Sequence, residues 1–85
     1  MELKDYRAEI DRLNTEIVDA VSRRMNVVEE IGSYKEENGL EVKDNGREEK
    51  VKQQFEKLFE KEDLPKDKGR ELAELLIAMA VDRQR

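Results

Sequence analysis

The stretch LKDYRAEIDRLNTEIVDAVSRRMNVVEEIGSY, residues 3–34, decides the fold. Leu3, Ile10, Ile17 and Ile31 share one heptad rank, and Tyr6, Leu13, Ala20, Val27 and Tyr34 share the next. Other ranks are polar: Asp5, Arg12, Asp19 and Asn26 on one, and Glu9, Glu16, Arg23, Glu30 and Glu37 on another. That division is one long amphipathic helix with a solvated flank. It should end near Asn38, because Gly39 accepts the left-handed backbone of a helix terminus and Leu40 can fold back onto the last turn. About 35 residues of helix reach roughly 50 Å, more than a compact domain of this mass can flank.

Downstream, Leu40 to Gly46 reads as a connector, and Asp44 or Asn45 can cap a second helix, the latter forming a capping box with Glu48. Val51, Phe55, Leu58 and Phe59 mark that helix's buried face. Lys61 to Leu64 is a polar turn, and Pro65 suits the first turn of a third helix with Leu72, Leu75, Leu76 and Met79 as its apolar stripe. With no repeat and no low-complexity tract, the expectation is an all-α chain forming a single domain over residues 1–85: one long, one short and one medium helix.

Composition narrows the possible functions. Among 85 residues only 36% are hydrophobic and 5% aromatic, so the core is thin and oligomerisation is the expected remedy. The chain has no cysteine and no histidine, which removes thiolate chemistry, disulfides, and the commonest metal ligand and general base. No apolar run is long enough to cross a bilayer and the amino terminus lacks a signal peptide's apolar centre, so the expected address is the cytosol, with no membrane partner. A net charge of -5 argues against a sequence-independent grip on nucleic acid, so any anion site must be local. Charged residues are 46% of the chain, a share that suits disorder when apolar residues are scattered; here they are periodic.

A few residues break the pattern. Arg24 occupies the rank of Ile10, Ile17 and Ile31, where an apolar side chain belongs. Either it pairs with a glutamate, leans out to solvent or fixes helix register, or it binds an anion within a helical bundle. Lys35 follows 11 positions later, nearly three turns, so both side chains project from almost one face with origins about 16 Å apart. Gly32 between them permits close approach of a helix or a ligand. Arg7 lies 28 positions before Lys35, or roughly 42 Å along the helix, so the two can meet one small molecule only if two long helices pair antiparallel in a dimer. Taken alone, Arg7 is a rim charge. Arg47 and Gln84 border the apolar faces of the second and third helices.

These residues carry a resemblance. Arg7-Ala-Glu-Ile-Asp-Arg-Leu-Asn, Arg23-Arg24-Met with Ile31-Gly32-Ser-Tyr-Lys35, Val42-Lys-Asp44 with Arg47-Glu48, and Leu75-Leu-Ile77 with Gln84 together resemble the helical class of chorismate mutases over the whole chain. The resemblance implies an intertwined homodimer of three-helix subunits, with long helices antiparallel and two sites each using both chains. It implies that Arg7 reaches a substrate carboxylate from the partner chain while Arg24 holds the other carboxylate. Lys35 is expected to contact a carboxylate and the ether oxygen, and Gln84 to donate to that oxygen from the opposite side. Asp44 and Glu48 match positions near the ring hydroxyl, and Arg47 an arginine that binds or braces a carboxylate. Ala80 departs from the pattern, standing where some members carry a substrate-binding serine.

The implied reaction, chorismate to prephenate, is intramolecular and needs no nucleophile, metal, proton transfer or cofactor. It suits a chain without histidine or cysteine. Two rivals stand beside it: isochorismate-pyruvate lyase chemistry on the same fold, and a helical dimerisation module in which Arg24 and Lys35 pair with glutamates of a second chain.

Overall fold

A computed structural model describes residues 1–41 and 45–84, the side chains of Asn45 and Gln84 excepted. Three helices follow in order, α1 (Leu3–Glu37), α2 (Asn45–Lys61) and α3 (Lys66–Gln84), and the described residues contain no strand. The long, short, medium order is the one expected from periodicity.

Each helix end has an identifiable cause. At the start of α1 the Glu2 amide donates to Asp5 Oδ2 at 2.9 Å, and Asp5 in the first turn and Lys35 in the last oppose the helix dipole. At its end Asn38 is the cap and Gly39 has φ of +66°; the Leu40 amide donates to the Lys35 carbonyl at 2.8 Å and the Gly39 amide to that of Glu36 at 3.3 Å. That pair of bonds is a Schellman closure, as the glycine foretold. α2 closes in the same way around Asp63, with φ of +59° and the Leu64 amide 2.8 Å from the Phe59 carbonyl.

α2 begins at Asn45, and the capping expectation, which falls on Asp44 and on the Asn45 side chain, lies outside the described residues. Pro65 stands just before α3 instead of within it, and its carbonyl accepts the amides of Lys68 and Gly69 at 3.1 and 3.2 Å.

α3 is the shared neighbour, packing along α2 and more briefly against α1. Among the described residues the buried apolar side chains are Met25 and Val28 of α1, Val51 of α2, and Ala73 and Leu76 of α3. Gly69 lets α2 and α3 approach closely: a Cβ there would sit 2.7 Å from the Phe55 carbonyl oxygen and 2.8 Å from the Phe59 ring. Phe55 and Phe59 are half-buried, but Leu58 is exposed, and of the expected α3 stripe only Leu76 is buried, while Leu72, Leu75 and Met79 stay exposed. The inner face of α3 is set by its small residues, because Gly69 and Ala73 admit the neighbouring helix where leucines would hold it off.

α1 therefore has two apolar faces. Met25 and Val28 face α3, whereas the heptad ranks found in the sequence remain open, with Ile10 56%, Ile17 61% and Tyr34 61% exposed. Every residue from Met1 to Ala20 is exposed. The radius of gyration is 16.0 Å, against roughly 12 Å for a compact chain of this length. The chain exposes 6963 Å², where a folded monomer of 10.0 kDa exposes roughly 5,200 Å².

Candidate functional site

The carboxy-terminal part of α1 packs against α3 and, with α2 and α3, encloses a cleft of about 380 Å³, within the range of small-molecule sites. α1 supplies Arg24, Val27, Val28, Ile31 and Lys35, a helical progression along one face. α2 supplies Arg47, Glu48 and Val51 from its first two turns, and α3 supplies Ile77, Ala80 and Val81. Seven lining residues are apolar, three are cations and one is a carboxylate. A chain of net charge -5 thus gathers a local positive excess in one cleft.

Arg24 and Lys35 are half-buried and stand at either end of the α1 wall, with the apolar side chains of Val27, Val28 and Ile31 between them. Arg47 is exposed at the rim and Glu48 half-buried. An apolar wall lowers the local dielectric, so charge-assisted bonds to a small anion are stronger here than on the open surface. A broader groove along α1, lined by Glu29, Glu30 and Glu37, has the opposite sign and suits no anion.

Of the residues singled out from the sequence, Arg24, Lys35, Arg47 and Glu48 meet in this cleft. Arg7 does not: it is exposed on the uncovered part of α1, roughly 26 Å along the helix from Arg24. Asp44 lies outside the described residues. Gln84 is in the last turn of α3, and its side chain lies outside the described residues. Val28 and Val81 were not anticipated; their signal was spacing alone, four residues after Arg24 and four after Ile77.

Ala80 lines the cleft, so the departure from serine noted in the sequence falls on its wall. A methyl group there donates no hydrogen bond.

A family model described as chorismate mutase type II matches residues 6–85. Comparisons with curated proteins and with solved structures give no match.

Proposed function

The chain belongs to the chorismate mutase type II family, and we propose that it converts chorismate to prephenate as a homodimer in which each site draws Arg7 from the partner chain. The observation that carries the proposal is the gathering of Arg24, Lys35 and Arg47 on one apolar-walled cleft of an acidic chain.

In the rearrangement the ether carbon–oxygen bond breaks while a carbon–carbon bond forms within the same molecule, and no group enters or leaves. The site has to hold the dianion in its compact conformer and supply donors to the ether oxygen as negative charge develops. Arg24 and the partner's Arg7 clamp the two carboxylates, with Arg47 bracing one of them. Lys35 donates to a carboxylate and to the ether oxygen, and Gln84 donates to that oxygen from the other side. Asp44 and Glu48 lie toward the ring hydroxyl. No cofactor enters the reaction.

The dimer is supported by area. The chain exposes roughly 1,700 Å² more than a folded monomer of its mass, so covering that excess on two chains corresponds to an interface in the obligate range, about 2,000–5,000 Å². Ile10, Ile17 and Tyr34 are its natural contents. Among the described residues no helix is long and apolar enough to cross a membrane, and the proposed setting is the cytosol.

The test is incubation of purified protein with chorismate, following loss of its ultraviolet absorbance and identifying the product, beside a Lys35→Ala control. Prephenate that disappears in the variant supports the reading. Pyruvate release from isochorismate alone would favour the lyase, and a folded dimer inert to both would favour the binding module.

A further inference from the structure

Ion pairs between helices occur at both ends of α3. Arg70 meets Glu49 and Glu56 of α2 near one end, and at the other Arg83 Nη1 contacts Glu29 Oε1 of α1. Neither Arg83 nor Glu29 lines the cleft, and both side chains are about half exposed, at 49% and 51%. Their contact nevertheless joins the wall that carries Arg24 to the turn that carries Gln84.

After Val81 come Asp82, Arg83 and Gln84, so among the described residues the last turn of α3 carries no apolar side chain beyond Val81. Helix turns with few apolar contacts open with little free energy unless another contact ties them down. Glu29, by contrast, follows the buried Val28 about two turns before the end of α1 and is a firmer point of attachment. A cation in the last turn is also favoured by the helix dipole.

We propose that Arg83 is a positioning residue, whose ion pair with Glu29 latches the last turn of α3 to α1 and so holds Gln84 at the cleft. The reaction part of this inference rests on the function proposed above; the latch itself does not.

The experiment compares wild type, Arg83→Ala, Arg83→Lys and the charge swap Glu29→Arg with Arg83→Glu, reading amide hydrogen exchange over residues 81–84 beside kcat and KM for chorismate. In Arg83→Ala exchange should rise about two- to fivefold, the size expected of a half-exposed ion pair, while protection around Ala73 and Leu76 stays unchanged. With a turn this marginal, kcat should fall about twofold at unchanged KM. Arg83→Lys and the charge swap should recover both readings, which loss of a merely structural contact would not link. Faster exchange with unaltered kcat overturns the positioning role. A wild type without turnover defeats the functional reading and leaves the latch to the exchange measurement, where unchanged protection in Arg83→Ala overturns it.

Discussion

Arg70 Nη2 donates to Glu49 Oε1 at 2.9 Å, joining α3 to the part of α2 that carries Arg47 and Glu48. The hydrogen bond from Arg70 holds the Glu49 carboxyl below its ordinary range, with the positive charges of Arg70 and Lys52 acting in the same direction. A lowered carboxylate contributes stability that is fully present above its unfolded value and is lost as the pH falls through its folded value. Glu49→Gln should therefore melt below wild type at neutral pH, with the difference closing in acid. Thermal melts at fixed protein concentration over an acid series check this, and a difference that persists undiminished would remove Glu49 as its source.

The two Schellman closures differ in one residue. Gly39 adopts its left-handed backbone without strain, whereas Asp63 at φ of +59° carries a Cβ into that region. Asp63→Gly should stabilise by about 0.5–1 kcal/mol, the relieved strain being partly offset by the freer unfolded chain. Gly39→Ala should cost about 1–2 kcal/mol. Chemical denaturation of both variants measures the contrast, and a destabilised Asp63→Gly would mean that its side chain contributes more than its backbone costs.

At Gly69 the limit is space. An added methyl would stand 2.7 Å from the Phe55 carbonyl oxygen, a backbone atom that cannot swing aside. Gly69→Ala should lose about 1–3 kcal/mol by forcing α2 and α3 apart. Gly69→Ala in a denaturant titration tests the close crossing, and a loss within error of zero would contradict it.

Much of this was legible in the sequence, for physical reasons. The end of α1 was readable because Gly39 and Leu40 announce their own geometry, and Arg24 and Lys35 stood out because cations on an apolar face demand an account. Asp63 announced itself only weakly, since aspartate takes the left-handed backbone more often than most side chains but far less often than glycine. Leu58 was read onto a buried face, and the apolar stripe of Leu72 and Leu75 stays exposed on the single chain, because helical period marks an apolar face without saying which neighbour reaches it; the small residues Gly69 and Ala73 decide where α3 meets α2. Val28 and Val81 were overlooked because an aliphatic wall of a site looks in sequence like any aliphatic core. The pairs Arg70–Glu49 and Arg83–Glu29 span 21 and 54 residues, distances at which charge patterns in a chain this rich in glutamate carry no information.

The assigned donor Gln84 is an amide that does not titrate, and the chain has no histidine. Turnover should be nearly flat between about pH 6 and pH 8, and Gln84→Glu should regain rate only toward acid, where its carboxyl is protonated and can donate. Steady-state rates across that range decide it; a steep wild-type decline would assign the donor role to a titrating group.

The proposed sharing of sites between chains makes a sharper prediction through mixing. Arg7→Ala and Lys35→Ala should each be nearly inactive as homodimers, because every site in either contains one defect. A mixed dimer places both defects in one site and leaves the other intact, with Lys35 from one chain and Arg7 from its partner. After unfolding and refolding an equal mixture, random pairing makes half the dimers mixed, so about a quarter of wild-type sites should return. Recovery should require co-refolding, since exchange across an interface of this area is slow. No recovery from a mixture that demonstrably contains mixed dimers would mean that Arg7 and Lys35 act on the same chain's site or that Arg7 has no part in it. The roughly 26 Å between Arg7 and Arg24 along α1 already weighs against the first of these.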